Sequence, residues 1–282
     1  MKNVLRALIY DGQVSLTLGV TTDIVREGIR RHNLTPASAF VFGKTLSAMT
    51  FMSACLKETT GEISLSIKGK EGEIAVSGNR QLYMRGFIEN TSLSGEENQA
   101  ESLFLGEQAS LTVIRDDGYN RPFVGACAFP QNGGIDEGFE EYFRISEQLP
   151  TRIKTMVKMQ GNECAFAGVA VLQPLPFAEE SVLQKVAELP LERLLSDMQE
   201  QGIACAEKWF KKDEKVWEER KASYKCNCSR RYLTRVLVSL GEMQMRQIIQ
   251  EEGAVRVHCH YCNTDYEFTN EDADLLFKKE ND

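Results

Sequence analysis

The sequence predicts an α+β protein in three parts: a large N-terminal α+β core domain over residues 1–177, a helical linker region over 178–223 and a small cysteine-bearing C-terminal domain over 224–282. Three observations predict it. Short apolar segments of period two recur through the first part, with one long apolar stretch, Ala37 to Leu56, set among them. Charge density rises after Pro176, and the apolar residues there re-space at helical intervals. Two close cysteine pairs then mark the last quarter of the chain.

The core domain opens with a strand from Val4 to Tyr10 and an Asp11-Gly12 turn. Val14, Leu16, Leu18 and Val20 then alternate with Gln13, Ser15, Thr17 and Gly19, as in a half-buried strand. Thr22 to Arg31 reads as helix. Thr35-Pro36 supplies an N-cap and a first-turn proline for the stretch Ala37–Leu56. That stretch is long enough to span a membrane. Lys44 lies inside it, however, and Ser and Thr are frequent, so it is read as a buried central helix wrapped by strands, with no membrane contact. Ile63 to Ile67, Ile74 to Ser77, Leu82 to Ile88, Leu111 to Ile114 and Phe123 to Ala128 are the expected strands, the last two bracketing Asp117-Gly118. Thr91 to Glu101 reads as a polar, acidic loop. An amphipathic helix carrying Phe139, Tyr142 and Phe143 is stopped before Pro150, and Ile153–Met159 and Ala165–Leu172 close the domain.

Pro190 and Gly202 divide the linker into short helices. Val182, Leu183 and Val186 make one apolar stripe; Leu191, Leu194, Leu195 and Met198 make another. Trp209, Phe210, Val216 and Trp217 are assigned to a third helix, where Glu207 and Lys211 have the supporting four-residue spacing. Helices this short are marginal alone. The linker is therefore expected to be metastable, held by a neighbour on each side, and to move when one support is lost. A permanently docked helical subdomain is the alternative.

In the C-terminal domain Cys226-Asn-Cys228 is followed, after thirty residues, by Cys259-His-Tyr-Cys262. Two close cysteine pairs on separate knuckles can close a tetrahedral S4 site, which zinc prefers. Cys226, Cys228, Cys259 and Cys262 are the expected ligands of one zinc ion. Ser229 can cap a helix bearing Leu233, Val236, Leu237 and Leu240; Ser239 and Glu242 have capping-box spacing for a second, which Gly253 ends. Val255 and Val257 alternate into Cys259, and Tyr266 and Phe268 alternate after Cys262, giving a hairpin whose turn is the knuckle. A unit of about fifty residues has a marginal apolar core, and a metal commonly supplies the difference. His258 and His260 flank Cys259 and are read as exposed knuckle residues rather than ligands.

This spacing resembles the heat shock protein 33 family, the redox-regulated bacterial chaperones. The likeness extends to Tyr224-Lys-Cys-Asn-Cys-Ser229, to Cys259–Phe268 and to Tyr142-Phe143 with Ser146-Glu147-Gln148-Leu149-Pro150-Thr151. Length and order of parts match along essentially the whole chain. The resemblance implies that the four cysteines hold zinc at rest. It also implies that oxidation pairs neighbouring cysteines, Cys226 with Cys228 and Cys259 with Cys262, ejects the metal and exposes a surface for unfolding proteins. Sequence alone permits three pairings of four cysteines; the adjacent one comes from the resemblance. It suits an unfolding switch, because each such disulfide closes a loop worth roughly 1.5–2 kcal/mol, against about 10–16 kcal/mol for structural zinc.

Composition narrows the function further. The 282 residues are 42% hydrophobic, enough for a proper core, and the net charge of −8 argues against general nucleic-acid affinity. Met1 to Tyr10, broken by Lys2 and Arg6, does not read as a signal peptide, so a cytoplasmic, reducing location is expected. The remaining cysteines, Cys55, Cys127, Cys164 and Cys205, are scattered singly and read as small buried hydrophobes. No enzyme is indicated. Gly69-Lys70-Glu71-Gly72 lacks phosphate-loop spacing, and Ser146 and Glu147 have only His32 in the core as material for a triad. The expected partners are partly unfolded client proteins and, from the resemblance, a second copy of the chain in an oxidised homodimer. A constitutive zinc ribbon touching RNA through Arg230, Arg231, Arg235 and Arg256 is the alternative, and a thiol oxidoreductase using Cys259 and Cys262 is a more distant one.

Overall fold

The computed structural model describes residues 1–210 and 217–277, in two compact units, Met1–Lys225 and Cys226–Asp282. The first unit begins with β1 (Val4–Ile9) and β2 (Val14–Val20), joined through Asp11-Gly12. Gly12 sits at φ +84, which the turn requires and an L side chain rarely adopts. Helices α1 (Thr22–His32) and α2 (Pro36–Ala54) follow, then β3 (Glu62–Gly69), β4 (Gly72–Asn79) and β5 (Tyr83–Ile88). Helix α3 (Glu97–Leu105) leads to the hairpin β6 (Ser110–Asp116) and β7 (Phe123–Ala128). Helix α4 (Ile135–Tyr142) runs into a π turn over Phe143–Glu147, and β8 (Arg152–Gln160) and β9 (Glu163–Pro174) complete the strands expected for the core.

These strands build two sheets, ordered β10-β1-β2-β9-β8 and β11-β5-β4-β3-β6-β7. The additional members are β10 (Trp217–Arg220) and β11 (Ser223–Tyr224). Helix α2 lies between the two sheets. Apart from Pro36 and Phe40 its residues are all buried, so a helix apolar on every side is satisfied by protein on every side. Phe42, Leu46, Met49 and Phe51 pack there against Ile63, Leu65, Ile74 and Val76 of one sheet and Val169 and Val171 of the other. The buried central helix expected from the sequence is thus observed, and no helix of the described residues is long and apolar enough to cross a membrane.

Four segments differ from the sequence expectation. Glu97–Leu105, half of it expected as an acidic loop, is helix, because Ala100, Phe104 and Leu105 bury one face and Glu101 turns in to meet the buried Lys44 at 2.9 Å. Thr35 occupies the N-cap position of α2, but its hydroxyl donates to Leu93 O at 2.9 Å rather than capping the helix. Trp217 belongs to no third linker helix. It starts β10, which pairs antiparallel with β1 (Ala7↔Trp217 to Val4↔Arg220). Val216 and Lys211, named with that helix, lie outside the described residues. Lastly, the capping box Ser239–Glu242 does not form: Ser239 donates to Val236 O, and Gly241 is the N-cap.

The linker helices are α5 (Glu180–Glu188), α6 (Leu191–Gln201) and, after a 3₁₀ turn, α7 (Ala206–Trp209). The two stripes read from the sequence are buried except for Leu183, which is half-buried. Val186, Leu194, Leu195 and Met198 cover Leu5, Leu16, Leu18 and Leu172 on the face of the first sheet that α2 leaves free. Truncating Leu195 to Ala should cost about 2–5 kcal/mol, read as a lower denaturation midpoint, because its side chain is completely buried at this seam.

Candidate metal centre

The second unit contains α8 (Arg230–Leu240), α9 (Glu242–Glu252), the hairpin β12 (Val255–Cys259) and β13 (Thr264–Phe268), and a short α10 (Asn270–Leu276) that the sequence reading did not anticipate. Its fully buried apolar cluster is small: Leu237, Met245, Ile249, Val255, Phe268 and Ala273. Ser229 caps α8 as expected, its hydroxyl accepting the Tyr232 amide at 3.1 Å, so Cys228 sits immediately before a fixed helix start. Gly253 ends α9 at φ +83.

The hairpin turn forms the second half of the site. The amides of Cys262 and Asn263 both donate to Cys259 O, at 3.3 and 2.8 Å, and Asn263 takes a left-handed φ of 52. That turn sets the Cys259 and Cys262 sulfurs on one side. All four sulfurs of Cys226, Cys228, Cys259 and Cys262 lie within 4.8 Å of one another. Cys226 Sγ is 3.8 Å from Cys259 Sγ, and Cys228 Sγ is 3.1 Å from Cys262 Sγ. A tetrahedron with metal–sulfur arms of about 2.3 Å has edges of roughly 3.8 Å, so the set fits a four-thiolate metal ion. Both close pairs join one half-site to the other.

Electrostatics agree with that use. Burial pushes the Cys228 and Cys259 thiols up. Cys262 suffers the same burial, yet hydrogen bonds from Thr264 and from the other three thiols carry it below the ordinary thiol value. Tyr266 OH lies 3.4 Å from Cys228 Sγ and gives the cluster a hydroxyl partner. A partly buried group of thiols sharing one favoured thiolate is what a dication would complete.

The histidines are employed elsewhere. His258 Nδ1 meets Asp265 Oδ1 at 2.7 Å, and the His258 and His260 rings stack edge to face, 4.9 Å apart. Two of the four arginines weighed for RNA are engaged within the unit. Arg230 binds Asp272 at 2.6 Å and lies over the Phe268 ring, and Arg256 pairs with Glu267 at 3.1 Å. In the first unit, Cys127, Cys164 and Cys205 are buried, as read from the sequence, and burial pushes each up to about 11, whereas Cys55, read the same way, is only half-buried. At pH 8 about one in a thousand of each would then be thiolate, against roughly a quarter of an unperturbed thiol. Iodoacetamide at pH 8 should leave all three unlabelled in the native protein and label them after guanidinium unfolding, as read by peptide mass.

Comparison with known proteins gives one consistent answer. The family model described as Hsp33 protein matches residues 2–269. Proteins named 33 kDa chaperonin, from Bacillus cereus (strain AH187) and Bacillus anthracis (strain CDC 684 / NRRL 3495), are each 33% identical over 294 residues, with 99% of both chains covered. The crystal structure of the 33 kDa chaperonin (heat shock protein 33 homolog) from Thermotoga maritima superposes with a TM-score of 0.80 at 24% identity, covering 98% of each chain. The chain therefore belongs to the Hsp33 family, whose name supports a chaperone function.

Proposed function

We propose that the protein is a redox-regulated, ATP-independent holdase of the cytoplasm. In this reading Cys226, Cys228, Cys259 and Cys262 hold one Zn²⁺ in the reduced state. The observation that carries it is the convergence of these four sulfurs within 4.8 Å in a unit whose buried apolar cluster has six members among the described residues. The metal's contribution when bound is to cross-link two half-sites that the small core barely holds together.

Oxidation removes the ligands. Each pair of thiolates gives two electrons to a peroxide, which takes up two protons from solvent and leaves as two waters, and one disulfide forms. We assign the bonds as Cys226–Cys228 and Cys259–Cys262. Bonds within the half-sites leave nothing covalent between them. The cross-pairs, each closing a loop of about thirty-four residues, would be worth nearer 4 kcal/mol apiece and would hold the unit together. We assign to the unfolding of that unit the release of the linker region over 178–223, whose stripes and the sheet face beneath them become available to partly unfolded clients. A homodimer is the expected active form. RNA contact is the second reading, and it is weakened by the engagement of Arg230 and Arg256.

The deciding test is light scattering from a heat-aggregating client. The protein should suppress aggregation after hypochlorite or peroxide treatment, not when reduced and zinc-loaded, and should lose the activity on re-reduction. Equal behaviour in both states would make the thiol site a structural staple. A charged residue at the linker seam should bypass the switch: Leu195→Glu, at a completely buried position, is expected to suppress aggregation in the reduced protein too.

A further inference from the structure

The carbonyl end of α2 lies beside a group of arginines that the thiol site does not use. Arg6 and Arg220 stand on neighbouring strands. In the β1–β10 register Arg6 is opposite Glu218 and Val4 is opposite Arg220, so the Arg6, Glu218 and Arg220 side chains leave one face of the sheet. Arg6 Nη1 donates to Ala54 O at 3.0 Å, and Arg220 Nη2 donates to Arg80 O in the turn between β4 and β5. Segments far apart in sequence thus bring Arg6, Arg80 and Arg220 to one place.

Their charge is not balanced. A guanidinium presents its N–H donors in a rigid fork. Arg6 and Arg220 each have one carbonyl as acceptor, and the Arg80 side chain has no hydrogen-bond partner among the described residues. Arg6 Nε and Arg220 Nη1 are buried and equally without a partner there. The carboxylate at hand is Glu218, half exposed and 3.7 Å from Arg220 Nε. Among the described residues neither Arg6 nor Arg80 has a carboxylate at ion-pair distance. Glu147, which like Arg6 lies near Cys55, is held by Arg115 at 3.1 Å through both oxygens and by the Tyr142 hydroxyl at 2.7 Å. The carbonyl end of α2 offsets part of the Arg6 charge. Burial, and then the charges of Arg80 and Arg6, push the Arg220 guanidinium below its ordinary value, and Glu218 opposes them. Three cations against one carboxylate leave room for a dianion, and forked donors match the oxygens of a phosphate.

We propose that this junction binds a phosphate group, held by Arg6, Arg80 and Arg220, either as the free ion or as the end of a phosphate monoester. The three arginines come from β1, the β4–β5 turn and β10, so a bound phosphate ties the short edge strand β10 to its neighbours. The amides of Trp217–Arg220 should then exchange more slowly with phosphate present. The site lies within the first unit and uses none of the thiols, so it stands or falls separately from the holdase reading.

The test is equilibrium dialysis of the full-length reduced protein against radiolabelled inorganic phosphate at pH 8, where phosphate is a dianion, with sodium chloride holding the ionic strength constant. One phosphate per chain should bind saturably. Arg80→Gln should weaken binding at least tenfold without lowering Tm in phosphate-free buffer, because the Arg80 side chain has no partner to lose. Arg220→Gln should weaken it as much; if that variant fails to fold, Arg80→Gln decides alone. The double variant Arg231→Gln/Arg235→Gln, at exposed positions of the second unit, should bind as the unaltered protein does. Absence of saturable binding at constant ionic strength would overturn the proposal, and so would binding that survives Arg80→Gln. Competition by unlabelled phenyl phosphate would support a monoester end as the occupant, and binding of the label without such competition would support the free ion.

Discussion

Cys262→Ser is expected to cost the second unit its fold while leaving the first intact. Zinc content should fall from one per chain to near zero, and limited proteolysis should degrade the chain beyond Lys225 and spare residues 1–210. Cys262 is buried, it is the sulfur nearest Cys228, and it carries the thiol that its surroundings most favour as thiolate. A serine there removes a soft, anionic ligand and leaves three. Structural zinc is worth about 10–16 kcal/mol at neutral pH, whereas a whole domain is commonly stable by only about 5–15 kcal/mol. Six buried apolar residues cannot absorb such a loss. A variant that kept one zinc and full protease resistance would show that the thiols are not what holds this unit.

The second large effect lies in the core. Lys44, near the middle of α2, is buried; its Nζ is 2.9 Å from Glu101 Oε2 and 3.3 Å from Asp136 Oδ2. Burial works against its charge, but the two carboxylates outweigh burial and hold its pKa above the ordinary lysine value. Lys44→Met leaves Asp136 buried with Lys154 at 3.6 Å and the Thr155 hydroxyl at 2.5 Å. Breaking a buried pair from one side costs about 3–5 kcal/mol, which for a unit of this size is a fall in Tm of roughly 6–20 °C. The pH dependence has a definite sign. Burial raises the Asp136 carboxyl in the folded state, and Lys44 is the first influence opposing that rise. In the variant the folded pKa therefore lies further above the unfolded one. The stability tied to protonation is present below about pH 4 and is lost as pH rises through the folded value. The variant's deficit should be smaller at pH 5 than at pH 8, and adding Asp136→Asn should recover much of it. A pH-independent deficit would assign the loss to packing alone.

These two sites show what was legible in the chain and what was not. The thiol site could be read because its chemistry is carried by residue type and local spacing: Cys226 and Cys228 are bound to be neighbours wherever the chain goes, and so are Cys259 and Cys262. The period-two strands and the apolar helix could be read for the same reason, since each declares its burial in its own few residues. The partners of Lys44 could not. Glu101 and Asp136 stand 57 and 92 positions away, and neither segment carries a local mark of the other. The helix Glu97–Leu105 hid behind its acids because its apolar inward face is only Ala100, Phe104 and Leu105. Trp217 resembled the end of a helical stripe, but an open edge beside β1 claimed it, a choice made by the sheet rather than by the segment.

That same edge sets an order of events during synthesis. Asn3 Nδ2 and Oδ1 bond the carbonyl and amide of Ala222, 219 positions away, and β10 completes the pairing of β1. β1 pairs with β2 on one edge within a few residues, but its other edge is thus among the last to be covered. At about 5–20 residues per second, some 11–44 s pass between translation of Asn3 and of Ala222. Throughout that interval one edge of β1 stays open in the nascent chain, so a protein whose family name supports shielding other chains begins its own life with an edge in need of shielding.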